Sequence, residues 1–135
     1  MKQHNDHHWQ ITLPDDWIVE DEDGCVALYH PDGVGMLEIS AAPQDTLVSD
    51  DDLRAIGSEH LEAGATTEPA RVGEFDGFEL SYDDAEGRFW REWYLKRGHL
   101  LLFMTYNCDT GNEDKEEGLL EVILATLKAS GYSSS

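Results

Sequence analysis

Runs of strand-like residues cut by turn signals dominate the chain. Strands are expected near residues 9–13, 17–22, 25–30, 35–42, 68–75, 78–84, 88–97 and 99–107. The turn signals between them are Asp23-Gly24, Asp32-Gly33, Asp76-Gly77, Glu86-Gly87 and Arg97-Gly98. An X-Gly pair marks a tight hairpin because a type I′ turn needs positive φ, which glycine adopts without steric cost. Two segments carry helical periodicity instead. The first runs from about Asp50 to Gly64, with Ser49 as N-cap and Asp50, Asp51 and Asp52 at the positive end of the dipole. Leu53, Ile56, His60 and Leu61 share one of its faces. The second runs from about Lys115 to Ala129, with Asp114 and Glu117 as a capping pair and Leu120, Ile123, Leu124 and Leu127 as the apolar stripe. Ser130-Gly131 ends it.

The resulting order is ββββ-α-ββββ-α, and hairpins join the strands within each group. The expected fold is therefore α+β: a largely antiparallel twisted sheet of about six to eight strands flanked by two amphipathic helices, an α/β/α sandwich. A chain of 135 residues makes one domain. The domain is expected over 9–129, with loose ends at 1–8 and 130–135.

Two-residue loops at Glu86-Gly87 and Arg97-Gly98 would place Leu80 opposite Trp93 and Trp93 opposite Leu102. Phe78, Leu95 and Leu100 would form the next row of that apolar face, and Tyr82, Arg91 and Met104 the row beyond. The other face would carry Glu79–Tyr94–Leu101, Ser81–Glu92–Phe103 and Asp83–Trp90–Thr105. A one-residue slip would exchange the faces. On this register Trp90, Tyr94 and Phe103, flanked by Glu79, Glu92 and Asp83, form a candidate partner-binding surface. Three arginines, Arg88, Arg91 and Arg97, lie on the same strand, and Trp, Tyr and Arg are the residue types that anchor interfaces. The competing reading puts Trp90 and Tyr94 under a helix.

Charge narrows the partners. Aspartate and glutamate number 29 against nine lysines and arginines, a net charge of −20. Such a field repels nucleic acid and anionic membranes and favours a basic or amphipathic protein partner. It is also what a salt-adapted cytoplasm would select for solubility alone. No apolar run approaches the roughly 20 residues of a membrane helix, and the first residues lack the apolar core of a signal peptide. A cytoplasmic location is expected. Cys25 and Cys108 read as two small hydrophobes in a reducing compartment.

The strand and turn Ile11-Thr-Leu-Pro-Asp-Asp-Trp17 carry a resemblance. So do the meander Gly77-Phe-Glu-Leu-Ser-Tyr82 into Arg88-Phe-Trp-Arg-Glu-Trp-Tyr94 and the terminal helix near Ala125-Thr-Leu127. Together they resemble the superfamily of the photosystem II extrinsic subunit PsbP, the Ran-binding Mog factor and bacterial DcrB-like proteins, which includes adaptor chaperones of type VI secretion. The resemblance spans about Trp9 to Leu127. It implies a binding or adaptor module; no catalytic residue set defines the group, and none is carried over.

No nucleophile elbow, HExxH, CxxC or P-loop is present in the sequence. Gly33-Val34-Gly35 reads as a hairpin loop. His4, His7 and His8 beside Asp6 read as a solvated terminus that holds metal loosely at most. Paired carboxylates cluster at turns and helix starts, where loose calcium or magnesium binding is expected but no dedicated site. No cofactor, metal site or catalytic residue is assigned. The first reading is a non-catalytic protein-binding or adaptor module. The alternative is an acidic immunity or inhibitor protein that neutralises a basic toxin or nuclease. A carboxylate- or metal-dependent enzyme is the lesser alternative.

Overall fold

The computed structural model describes residues 1–22, 24–57 and 67–129. Its elements are β1 (Lys2–Asn5), β2 (Trp9–Leu13), β3 (Ile18–Glu22), β4 (Cys25–Tyr29), β5 (Gly35–Pro43), α1 (Asp50–Ile56), β6 (Thr67–Val72), β7 (Phe75–Asp83), β8 (Arg88–Arg97), β9 (Leu100–Asp109), α2 (Glu117–Leu124) and β10 (Lys128–Ala129). Seven strands form one antiparallel sheet in the order β3-β4-β5-β9-β8-β7-β6, and a smaller sheet has the order β1-β2-β10. The α+β class and the two helices match the expectation. Lys2–Asn5, in the stretch read as loose, form a strand along β2.

The first helix begins as its sequence demands. Ser49 Oγ accepts from the Asp52 amide at 3.1 Å, and the Ser49 amide donates to Asp52 Oδ2 at 2.9 Å. This reciprocal pair is a capping box, with aspartate in the place of the usual glutamate. His60, Leu61 and Gly64, assigned to the same helix, lie outside the described residues, as do Asp23 of the first turn pair and Ser130-Gly131.

The second helix is shorter than its periodicity suggests. Thr126 Oγ1 donates to the Ile123 carbonyl at 2.6 Å and accepts from the Thr12 amide at 2.8 Å. That linkage turns the chain away from the helix, and Lys128 and Ala129 pair with β2. Asp114 does not cap α2. Glu116 stands at the N-cap, and its Oε1 instead accepts from Tyr106 Oη at 2.7 Å and the Gly35 amide at 3.1 Å.

Two loop lengths set the faces of the large sheet. Asp84 and Arg88 close a three-residue loop, Ala85-Glu86-Gly87, through Asp84 N–H to Arg88 O at 2.8 Å, with Gly87 at φ +81°. A three-residue loop of this kind adds one residue to the expected pair. Leu80 therefore lies opposite Glu92, not Trp93, and β7 turns over relative to the expectation. Between β8 and β9 the two-residue loop is Gly98-His99, one position later than expected. Trp93 faces Met104 rather than Leu102, a shift of two that preserves the faces. Asp76-Gly77 is not a turn. It lies within β7, and the chain reverses at Gly73-Glu74, with Gly73 at φ +58°.

One face of the large sheet packs against the small sheet and α2. Trp93, Leu95, Leu102, Met104 and Tyr106 meet Trp9, Ile11, Leu13 and the predicted stripe Leu120, Ile123, Leu124 and Leu127, all buried. The other face carries a smaller core in which Leu53 of α1 sits on Leu80, Tyr94 and Leu101. No described helix is long and apolar enough to cross a membrane.

Candidate interaction surface

The register takes the expected aromatic surface apart. Tyr94 and Phe103 share a face as foreseen, directly opposite one another with ring centroids 5.0 Å apart. Phe78 joins them, stacked 5.0 Å from Tyr94, because β7 is turned over. This cluster lies under α1, so Tyr94 takes the competing reading and is buried. Trp90 is on the same face but further along the strand, half-buried, with Nε1 donating to Asp84 Oδ2 at 2.9 Å. Glu92 is 4% exposed. It accepts from Tyr82 Oη at 2.7 Å and Tyr94 Oη at 2.6 Å. Burial, and then the neighbouring Glu92 carboxylate, push the Tyr82 phenol well up.

Glu79 and Asp83 are on the opposite face. Glu79 lies across from Trp93 and accepts from Arg91. Asp83 lies across from Phe89 and accepts from Thr110 Oγ1 at 3.2 Å. The six side chains therefore do not share a surface. The arginines divide too: Arg88 bonds Asp109 at 2.8 Å and also Asn107, Arg91 bonds Glu79 and Glu121, and Arg97 donates to the Glu74 carbonyl.

The two edges of the large sheet differ in a way that sequence reading did not foresee. β6 is one edge, and Pro69 interrupts its row of backbone donors. β3 is the other. Among the described residues it pairs only with β4, and its five residues Ile-Val-Glu-Asp-Glu contain no proline and no basic side chain. Ile18, Glu20, Asp21 and Glu22 are exposed, and Asp15 and Asp16 precede them at the surface. Asp16 accepts from His30 Nε2 at 2.9 Å, while His30 Nδ1 accepts from the Asp32 amide at 2.9 Å, which fixes the ring proton on Nε2. The His30 bond holds the Asp16 carboxyl below its ordinary range. Glu20 accepts from Tyr29 Oη. The acid run was legible, but it read as turn carboxylates; only the strand order shows that it lines an open edge.

Cys25 and Cys108 are free thiols. Burial, then the Glu38 carboxylate 3.4 Å away, push the Cys25 thiol up to about 11. It is therefore protonated at neutral pH and a weak nucleophile. A cleft of about 500 Å³ beside α1 is lined by Asp50, Arg54, Glu68, Pro69 and Phe78.

No protein-family model matches the chain, and no curated protein matches it. Solved structures do. A protein from Bacteroides thetaiotaomicron VPI-5482 is 23% identical with a TM-score of 0.66 over 90% of this chain. This chain spans 45% of that protein's length. LpqN of Mycobacterium tuberculosis, described as involved in cell envelope biogenesis, is 14% identical with a TM-score of 0.61, covering 96% of this chain and 91% of LpqN. The neighbours include the cyanobacterial PsbP, CyanoP, from Synechocystis sp. PCC 6803, 11% identical with a TM-score of 0.45 over 96% of this chain and 92% of CyanoP. The chain shares its fold with the first two.

Proposed function

We propose that this chain is a non-catalytic binding module that takes a basic, extended protein segment along the outer edge of β3. The observation that carries the reading is the edge itself: a strand that, among the described residues, is paired on one side only and is rimmed by Asp16, Glu20, Asp21 and Glu22. Main-chain hydrogen bonds from an added strand supply affinity, and alternate side chains supply specificity. Acids on an edge also discourage self-association, because two copies would bring like charges together. A lysine- or arginine-rich strand has no such penalty, and the net charge of −20 would speed its approach at low salt. LpqN's part in envelope biogenesis is compatible with a module of this kind. The two free thiols support a cytoplasmic, reducing location.

The test is calorimetric titration with an alternating Lys-Val peptide. Binding should weaken as salt rises, and Glu20→Lys with Glu22→Lys should weaken it about tenfold or more. Equal affinity in that double variant would move the site elsewhere. Absence of binding at low salt would remove the reading. Tight one-to-one capture of a basic nuclease with loss of its activity would favour the immunity alternative at the same edge.

A further inference from the structure

The small sheet meets the large one where β1 and the turn into β2 approach β3. There a ring nitrogen of His4 and one carboxylate oxygen each from Asp6 and Asp21 all lie within 4.8 Å of one another. Two stretches of chain supply these groups, His4-Asn5-Asp6 and the β3 residue Asp21, so the full cluster exists only in the folded protein. His4 stands opposite Ile11 in the β1–β2 ladder, and its ring lies 5.6 Å from that of Trp9. Its Nε2 is buried and has no hydrogen-bond partner, the sole buried side-chain polar atom in that condition among the described residues. Native folds rarely leave a buried nitrogen unpaired, and each case calls for a physical reason such as a missing ion. Beside the cluster is a cavity of about 190 Å³, lined by Asp6, Asp21, Glu22 and His8 among others.

We propose that His4, Asp6 and Asp21 bind one divalent first-row transition cation, with zinc as the reference ion. One imidazole and two carboxylates form a mixed nitrogen–oxygen set. It suits zinc, cobalt or nickel better than calcium or magnesium, which take shells of oxygen alone. Bonds of about 2.0–2.2 Å to a tetrahedral ion put the donor atoms roughly 3.3–3.6 Å apart. The three donor atoms already lie within 4.8 Å of one another, and side-chain rotations bring them to that spacing. The cavity leaves room for a water or for His8 at the fourth position. The cation neutralises two neighbouring carboxylates and pins the small sheet to the hairpin that bears β3. The terminal histidines thereby divide into a ligand, His4, and an exposed bystander, His7.

The experiment is zinc titration by calorimetry of the full chain, repeated on His4→Gln, Asp6→Asn, Asp21→Asn and the control His7→Gln. Far-UV circular dichroism and urea midpoints confirm that each variant is folded. Cobalt substitution gives a second readout through its visible bands. The expected result is one zinc per chain, weakened about tenfold or more by each of the three ligand variants and unchanged by His7→Gln. The cobalt bands should vanish in His4→Gln. The proposal is overturned if the parent chain binds no zinc, or if calcium binds as tightly. It is equally overturned if His4→Gln and Asp21→Asn retain parental affinity. A loss in His7→Gln as large as in His4→Gln would mark a loose histidine tail instead of this site.

Discussion

Removing Arg91 and Glu79 singly and together measures how β7 sits on β8. Arg91 Nη2 and Nε donate to Glu79 Oε2 at 2.9 and 3.3 Å, and Nη2 reaches Glu121 Oε1 at 3.4 Å. The guanidinium carbon lies 4.7 Å from the Trp93 ring centroid. The Arg91 and Glu79 side chains are 16% and 25% exposed. Unit charges about 4 Å apart attract by about 4 kcal/mol at an effective dielectric near 20. Desolvation and side-chain ordering cancel most of that, and exposed pairs retain only about 0.2–1 kcal/mol. At this partial burial a coupling of about 1–2 kcal/mol is expected. Arg91→Met keeps an apolar stem over Trp93, and Glu79→Gln keeps the shape while removing the charge. Urea unfolding of the parent, both single variants and the double variant gives the coupling, provided that the denaturant slope is constant. The coupling should shrink near 1 M salt, where screening acts within about 3 Å. A coupling under about 0.3 kcal/mol, the level of additive sites, would refute the register. Under a two-residue Glu86-Gly87 loop, Glu79 would face the other side of the sheet and could not reach Arg91.

Two further outcomes follow from the packing and the turn. Leu53 is the one buried residue of α1 and is fully enclosed by the smaller core, so Leu53→Ala should cost about 2–5 kcal/mol in urea unfolding and alter the near-UV signal of Tyr94 and Phe103. Asp84 is held below its ordinary carboxyl range, chiefly by the Trp90 indole N–H and then by the Arg88 amide. A depressed folded pKa contributes stability that is present above the unfolded value and lost as pH falls through the folded one. The Trp90 indole proton resonance should therefore titrate with a midpoint below 3.8, and Asp84→Asn should abolish that step; a midpoint at or above 3.8 contradicts the bond.

Element identity was legible because strand runs and turn glycines are local signals. Strand facing was not, because it depends on loop length by a single residue. Gly87 has positive φ whether it ends a two- or a three-residue loop. Asp84 decides the case: its Oδ1 accepts from the Glu86 and Arg88 amides at 2.9 and 3.0 Å and stabilises the longer loop. Asp76-Gly77 carries the composition of a turn yet lies in a strand, where a Cβ on Gly77 would meet the Tyr94 carbonyl oxygen at 1.9 Å. Glycine is there for close backbone approach, and one sequence cannot separate that use from a turn. β1 and β10 escaped notice for a different reason. They are polar and short, and only tertiary pairing with β2 makes them strands.

The charge has two physical roles that composition alone merges. Several carboxylates act as local acceptors. Asp52 closes the start of α1, Asp84 closes the β7–β8 loop, and Glu74 accepts from the Ala129 amide. Glu116 holds Tyr106 and Gly35 together. These contacts depend on short hydrogen bonds, which bulk salt hardly screens. Glu20, Asp21 and Glu22 of β3 are exposed on an edge with a like-signed rim, although Glu20 also accepts from Tyr29 Oη. If salt adaptation alone explained the acidity, position would not matter. Reversing Glu20 and Glu22 would then change folding and peptide affinity no more than reversing two remote acids such as Asp45 and Glu86, both exposed. A binding edge makes the two pairs of reversals unequal. Both relieve self-repulsion to a similar degree, yet only the β3 pair changes the charge that an incoming basic strand meets at hydrogen-bonding distance. The difference in peptide affinity between the two double variants, at matched net charge, thus separates a surface selected for a partner from one selected for solubility.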